Sequence, residues 1–362
     1  MAAPLKDQFD PALVAELAGR VVAVHAEFDT DGFVRAVLPE LEPLELKDRV
    51  NLIADQLCAH LPDDYPEALA VVVAVAEGEP DAWQGWPLCS FVERHGIDHP
   101  HESLAAMPIL TRVWSCEFAI RPFLDHHLAL TREHLRRWVH DPDPAVRRLP
   151  SEGTRPLLPW GPRVRALTDD PSIGIELLRE LRRDPDEVVR RSVANHLNDV
   201  AKAHPGRVVD ELAGWIDDGV DEAMVRHALR TLVKQGDPRA MAVLGYATEA
   251  ELEVDWFTCD PAHLHLGERI TLSCALRSTA DTDQRLVVDF VIHHINASGG
   301  TSPKVFKWTT VDLAAGATAG LTKRRLIATA STRRYHAGHH RVELQVAGTV
   351  MAATHFDLRD SS

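Results

Sequence analysis

Cysteine is scarce in this sequence, which has only five. They are Cys58, Cys89, Cys116, Cys259 and Cys274. Their number is odd and no two are closer than fifteen positions, so the sequence predicts neither a disulfide framework nor a CxxC zinc or redox site. We expect them to behave as buried small hydrophobic residues in a reducing cytosol.

Long apolar runs and nucleotide motifs are also missing. The longest apolar run, residues 68–76, is far shorter than the ~20 residues that a membrane span needs. The first ten residues, MAAPLKDQFD, lack the apolar core of a signal peptide. No HExxH motif, GxGxxG motif or P-loop occurs, so we expect no metal ion and no nucleotide cofactor. The absences favour a cytoplasmic protein without a membrane partner.

The length and charge set the next limits. The 362 residues are 45% hydrophobic, which predicts two or three domains with ordinary cores and excludes wholesale disorder. A formal net charge of −15 opposes contact with nucleic acid when it is taken as an average. The charge is uneven, however: it is −14 over residues 1–111, +3 over residues 112–207 and −4 over residues 208–362. Only the middle region is basic enough to contact phosphate groups.

Most of the chain has a helical pattern. Between residues 11 and 245, apolar residues recur three and four positions apart, and two buried helices are predicted over residues 50–61 and 67–77. A motif recurs as HDPDPAVRR, RDPDEVVRR and DDGVDEAMVRH, with copies 43 and 36 residues apart. This spacing predicts HEAT-like helical repeats that stack to form a concave surface. The arginines of the motif either contact a ligand or only cap the repeats and face solvent.

The pattern changes near residue 249. Five segments beyond it alternate apolar and polar residues: ERITLSCALRS, QRLVVDFVIHHIN, SPKVFKWTTVDL, TAGLTKRRLIATA and HRVELQVAGTV. About seven short strands over roughly 110 residues are typical of an Ig-like sandwich. We therefore predict a mainly α protein, with a HEAT-like solenoid at residues 1–248 and an Ig-like β-sandwich at residues 249–362.

Two segments of the basic region are candidates for chemistry. WSCEFAIRPFL places Glu117 and Arg121 four residues apart, a spacing that on a helix also fits a simple ion pair. RRLPSEGTRPLLPWGPR, residues 147–163, is long for a connection inside a helical repeat. Its Trp160 is either exposed on a stiff turn, where an indole can stack on nucleic acid, or buried as a plug between repeats.

A third candidate segment is VVRRSVANHLNDVAKAHP. Helical spacing predicts that four polar residues share one face: Arg191, Asn195, Asn198 and Lys202. Asp199 lies beside that face. Asparagine is a poor helix former, so two asparagines on one face favour a surface for phosphate contacts. The alternative is an ordinary solvated face.

Several of these strings resemble those of the bacterial DNA alkylation repair glycosylases of the AlkC type, which are related to the HEAT-like AlkD glycosylases. The strings are SCEFAIRPFL, SEGTRPLLPWG, RRSVANHLNDVAKAHP and ALRTLVKQGDPRAMAVLG. The resemblance covers most of residues 10–245, and residues 255–360 resemble the Ig-like domain of a subset of that family. It implies a monofunctional glycosylase of base excision repair that removes 3-methyladenine and 3-methylcytosine from duplex DNA without base flipping.

The resemblance also implies roles for individual residues. Glu117 and Glu152 match the active-site carboxylates of the family, and Trp160 matches an aromatic residue that lies against the DNA. The predicted DNA-binding set is Trp160, Arg121, Arg148, Arg155, Arg163, Arg191, Asn195, Asn198 and Lys202.

The residue types suit this chemistry. An N3-alkylated base is cationic, so it leaves without a general acid, and a carboxylate then stabilises the sugar oxocarbenium ion and orients a water. We expect Glu117 to do this, Glu152 to assist, and Arg121 to keep Glu117 ionised. The expected partner is duplex DNA with alkylated bases, bound by a nucleoid-associated monomer. The alternative is a non-catalytic HEAT-repeat scaffold that binds proteins.

Overall fold

The computed structural model of the protein describes residues 4–296, 299–328 and 335–359. Within these ranges fifteen α-helices precede eight β-strands, so the predicted fold class is confirmed. No helix among the described residues is both long and apolar enough to cross a bilayer.

The chain forms two compact units, residues 1–204 and residues 205–362. The predicted domain division at residues 248 and 249 stays a prediction; the last helix ends at Val243 and the first strand begins at Leu252.

The first unit is entirely helical. A short 3₁₀ helix, Leu5–Gln8, precedes twelve α-helices. These are α1 Pro11–Val24, α2 Thr30–Leu41, α3 Leu46–His60, α4 Tyr65–Glu77, α5 Ala82–His95, α6 Pro100–Val113, α7 Ile120–His126, α8 Leu128–Trp138, α9 Pro144–Gly153, α10 Arg165–Asp169, α11 Ser172–Leu181 and α12 Glu187–Val200. The two helices predicted from apolar spacing are α3 and α4.

The second unit combines three helices with all the strands. The helices are α13 Pro205–Asp217, α14 Glu222–Gln235 and α15 Pro238–Val243. The strands are β1 Leu252–Asp260, β2 His263–His265, β3 Arg269–Ser278, β4 Gln284–Ile295, β5 Thr301–Leu313, β6 Thr318–Leu326, β7 Gly338–Val346 and β8 Thr349–Arg359. They form a three-stranded sheet, β1-β3-β6, and a five-stranded sheet, β2-β8-β7-β4-β5. The five predicted segments correspond to β3–β7.

Each copy of the repeated motif begins a helix at an aspartate. The N-caps are Asp143 of α9, Asp186 of α12 and Asp221 of α14. Each carboxylate accepts a hydrogen bond from the backbone N–H two residues later, at 2.8, 2.7 and 2.9 Å respectively, as capping aspartates do. The valines aligned between the copies are fully buried. The motif is therefore a helix start that anchors one apolar side chain.

The first arginine of the motif folds back on its own turn. Arg147 Nη1 donates to the carbonyls five and six residues before it, both at 2.9 Å. Arg190, the equivalent residue of the second copy, makes the same two contacts at 2.8 and 2.6 Å. Arg147 Nε also donates to Asp184 Oδ2 at 2.6 Å. For these two residues the capping interpretation is confirmed.

Candidate active site

A cavity of about 630 Å³ lies in the first unit. Its lining comes from the 3₁₀ helix, α3, α5, α6, α9 and the two loops that follow α6 and α9. The lining includes the aromatic residues Trp83, Trp86, Trp114, Phe118 and Trp160 and the polar residues Ser115, Glu117, Arg148, Glu152 and Arg155. Five residues that the sequence predicts for the site therefore meet around one space: Glu117, Arg148, Glu152, Arg155 and Trp160.

One wall of the cavity is aromatic. The rings of Trp86 and Trp114 stack with centroids 5.0 Å apart and planes 13° apart, and Trp83 lies 5.3 Å from Trp114. Phe118 continues the wall, with its centroid 6.1 Å from that of Trp86. Sequence reasoning missed Trp83 and Trp86, because both lie on α5, outside the basic region that drew attention. Such a wall favours flat or cationic ligands.

Glu117 lies on the turn between α6 and α7. Its Oε2 accepts hydrogen bonds from Ser115 Oγ at 2.9 Å and from Arg148 Nη1 at 3.0 Å. Within the described part of the chain its Oε1 accepts none. The side chain is 18% exposed, so this carboxylate is held in place while one oxygen stays available to a ligand.

Glu152 lies near the end of α9, four residues after Arg148, and is more enclosed, with 7% of its side chain exposed. Its Oε1 accepts from Arg155 Nη1 at 2.5 Å, and its Oε2 accepts from Ser192 Oγ at 2.6 Å and lies 3.4 Å from Arg148 Nη2. Burial alone would raise the pKa of Glu152, but the charges of Arg148 and Arg155 outweigh it and hold that pKa below its ordinary value. Glu152 therefore remains ionised with both oxygens occupied.

A chain of alternating charges continues behind Glu152. Arg155 Nε donates to Asp199 Oδ2 at 2.9 Å, and Lys202 Nζ lies 3.1 Å from Asp199 Oδ1. Burial lowers the pKa of Arg155, and the two carboxylates outweigh this and raise it above its ordinary value. Arg155 and Asp199 are both buried, so this pair anchors the site from within.

Arg121 does not form the ion pair with Glu117 that their four-residue spacing favours. The helix predicted through Glu117 is wrong, because α7 begins only at Ile120. The Arg121 guanidinium instead donates to three backbone carbonyls of α9 and the loop after it: Gly153 at 2.8 Å, Arg155 at 3.0 Å and Pro162 at 2.5 Å. Only 1% of Arg121 is exposed, and burial together with the charge of Arg155 lowers its pKa to about 10. Among the described residues, the ion-pair partner of Glu117 is Arg148.

Trp160 lies at the rim of the cavity on the loop that Arg121 holds. It is 65% exposed, so the exposed alternative is confirmed and the buried plug is wrong. Its φ of 63° lies in the left-handed region, which a tryptophan adopts only when its surroundings enforce it. Lys47 Nζ donates to its backbone carbonyl at 3.1 Å. The indole is thus displayed to solvent by a fixed turn, and Arg163 beyond it is exposed as well.

The polar stripe of α12 divides into two kinds of residue. Arg191 and Lys202 are exposed, whereas Asn195 is half-buried and Asn198 is only 3% exposed. The solvated-face alternative is therefore wrong for Asn198. The prediction that Lys202 shares a helix face with the other three residues is wrong, because α12 ends at Val200. The stripe therefore combines one half-buried and one buried asparagine with two exposed cations.

The described residues contain no group of three or more His, Cys, Asp or Glu side chains placed to hold a metal ion.

The Sγ atoms of Cys89 and Cys116 lie 3.4 Å apart as buried thiols, and Cys274 is buried too, as expected. Cys58 and Cys259 are half-buried, so the expectation of full burial is wrong for them. Burial raises the pKa of the Cys89 thiol.

These features define the class of protein: a helical domain with a charged, aromatic-walled cavity, followed by a β-sandwich. A family model described as the C-terminal Ig-like domain of the uncharacterised protein YhaZ matches residues 253–360. The chain is 32% identical to the uncharacterised protein YhaZ of Bacillus subtilis (strain 168), over 98% of this chain and 99% of that protein. It is 36% identical to the Pseudomonas fluorescens alkylpurine DNA glycosylase AlkC, solved bound to DNA containing an abasic site analogue. That structure matches 99% of this chain and 100% of its own, with a TM-score of 0.94. The chain belongs to the AlkC-type family, as its motifs indicate.

Proposed function

We propose that this protein is a DNA glycosylase that hydrolyses the N-glycosidic bond of cationic N3-alkylated bases, 3-methyladenine and 3-methylcytosine, in duplex DNA. One observation carries the proposal: Glu117 and Glu152 share the guanidinium of Arg148 beside an aromatic wall. AlkC of Pseudomonas fluorescens, an alkylpurine DNA glycosylase bound to DNA, supports the same class of activity and the same partner.

The reaction needs little from the protein beyond electrostatics. The bond between C1′ and the base nitrogen breaks with its electron pair going to the base, so the cationic base leaves neutral and the sugar becomes an oxocarbenium ion. A water oxygen then bonds to C1′ and its proton passes to a carboxylate. A fixed carboxylate stabilises the developing positive charge and orients that water, which together supply several kcal/mol.

The geometry favours Glu117 as the residue that contacts the reacting sugar. Glu117 is the more exposed of the two and keeps one oxygen without a hydrogen bond among the described residues, whereas both oxygens of Glu152 are occupied. Glu152 then positions Arg148 and Arg155. No lysine is among the described lining residues, and the ammonium of nearby Lys47 is bonded to the Trp160 carbonyl; this supports water as the nucleophile and a monofunctional enzyme.

The rim and wall suit a base that stays in the duplex. Exposed Trp160 can stack on DNA next to the lesion, and aromatic faces attract a cationic base. A base that remains stacked needs no extrusion pocket, unlike the substrates of base-flipping enzymes. We expect the protein to act as a monomer in base excision repair.

One assay separates this proposal from a protein-binding scaffold. The purified protein is incubated with methylated duplex DNA, and the released bases are separated by chromatography. A glycosylase releases free 3-methyladenine and 3-methylcytosine and leaves abasic sites. Release no faster than from DNA without protein would overturn the proposal and favour the scaffold.

A further inference from the structure

A second cavity, of about 340 Å³, lies in the unit of residues 205–362 and shares no residue with the first. Its charged lining consists of Arg226, Arg230 and Lys234 of α14, Lys307 of β5 and Asp289 of β4. Four cations therefore surround one carboxylate. The volume is at the small end of the range for ligand pockets, which suits a single small molecule.

Asp289 is the unusual member of this group. It is 5% exposed, and its Oδ1 has no hydrogen-bond partner among the described residues. It directly follows a break in the pairing of β4 with β5, and such bulges redirect side chains. Burial raises its pKa to about 6, so the carboxylate is charged at neutral pH. A backbone N–H of Trp308 and the charges of Lys307 and Lys234 offset the burial of this carboxylate only in part. A buried oxygen such as Oδ1 that accepts no hydrogen bond destabilises the fold.

No neighbour among the described residues donates a hydrogen bond to Oδ1 of Asp289. Gln345 lies opposite it on β7, but the Gln345 side-chain amide donates to the carbonyl of Gly348 at 2.6 Å. On the α14 side of the cavity, the Arg226 guanidinium pairs with Glu222 through Nη2, while its Nε is buried without a hydrogen-bond acceptor in the described part of the chain. An acceptor and a donor of the same cavity are thus both unused, which is the pattern of a site built for a ligand.

We propose that this cavity binds a nucleoside monophosphate, with the phosphate on the cationic side chains and an N–H group of the base on Asp289. Arginine and lysine are the usual ligands of phosphate oxygens, and an ionised carboxylate accepts hydrogen bonds only, so it selects a ligand that carries a donor. Val233, Val287 and Tyr246 supply an apolar wall for the planar base. The phosphate would be held by side chains, which agrees with the absence of a glycine-rich phosphate loop.

Isothermal titration of the full-length protein tests this with AMP, GMP and CMP, and with inorganic phosphate and adenosine as the two halves of a nucleotide. We expect one nucleotide per chain and at least tenfold weaker binding of either half. Asp289→Asn and Lys307→Ala should each weaken nucleotide binding about tenfold, the effect of one lost charged hydrogen bond. Lys304→Ala is the matched control, because Lys304 lies on the same strand outside the lining.

Thermal unfolding of the unliganded Asp289→Asn variant gives a second readout. If the carboxylate exists for a ligand, its removal leaves the unfolding midpoint unchanged or raises it. Three results would overturn the proposal: no nucleotide binding at millimolar concentration, binding that both variants leave intact, or phosphate binding as tightly as the nucleotide. A lower unfolding midpoint for Asp289→Asn would likewise assign the carboxylate to the fold.

Discussion

Arg148 and Glu117 lie 31 residues apart in the sequence and 3.0 Å apart in the structure. The same guanidinium lies one helical turn before Glu152, so a single cation serves both carboxylates of the cavity. The positive charge of Arg148 offsets the repulsion between the two negative charges that line this cavity. The arrangement keeps negative charge concentrated where a positive charge develops on the sugar.

Replacing Glu117 by glutamine should abolish base excision and leave DNA binding intact. The amide keeps the shape of the side chain but removes the charge, and loss of one such electrostatic contact slows chemistry about a hundredfold or more. Release of free 3-methyladenine and fluorescence anisotropy with abasic duplex measure the two properties. Glu133→Gln, on the exposed surface of α8, is the control. Full excision by the Glu117 variant would exclude its assigned role.

Arg148→Ala should move the pH profile of excision. Without this cation the pKa of Glu152 rises, since the charge of Arg148 is the largest influence that lowers it. We expect the acidic limb of the pH profile of single-turnover excision to move to higher pH, because Glu152 then takes up a proton more readily. Arg148→Lys should shift it less because it keeps the charge. Identical profiles for all three proteins would contradict the shared-cation arrangement.

Trp160→Gly should weaken duplex binding without destabilising the fold. The exposed indole contributes little to the core, and glycine readily adopts the positive φ at this position. Loss of one stacking contact corresponds to about tenfold weaker binding, and Trp160→Tyr should retain most of the affinity. Anisotropy titrations and thermal unfolding give both quantities. Unchanged affinity in the glycine variant would show that the indole does not contact DNA.

The stability of the first unit should depend on pH through His196. Burial lowers the pKa of His196 to about 4, so the folded state excludes a proton that the unfolded chain binds below about pH 6.5. The free energy of unfolding should therefore fall as pH decreases from 6.5 to 4, by up to about 1.4 kcal/mol per pH unit. Urea unfolding at pH 7.5, 6.0 and 5.0 measures this slope. His196→Gln should flatten it in this window, whereas exposed His126→Gln should not.

Duplex binding should weaken steeply with salt if phosphate contacts dominate. Each phosphate contact contributes about 0.9 to the slope of log K against log salt concentration, so Arg191→Ala and Lys202→Ala should each reduce the slope by roughly one. Arg35→Ala, exposed in the acidic N-terminal region, is the control. A flat salt response of the unmodified protein would argue against phosphate contacts altogether.

The sequence predicts the outline of the site better than its internal connections. Periodicity and capping aspartates predict helices and strands because both are local properties. Glu117 and Glu152 could be found through long motifs, yet the partner of Glu117 could not. The four-residue spacing favours Arg121, and only the tertiary fold brings Arg148 close and directs Arg121 to backbone carbonyls. Trp83 and Trp86 were not predicted, because they lie outside the basic region and reach Trp114 only through the packing of α5.

The two consecutive arginines of the repeated motif have different roles. In both copies of the first unit the first arginine closes its own turn, so that turn is complete without the second. The second arginine can therefore have a different role in each copy. Arg148 binds the two carboxylates of the cavity, whereas Arg191 faces solvent. A duplicated building block of this kind lets evolution alter ligand contacts at one position of each copy while the neighbouring position preserves the fold.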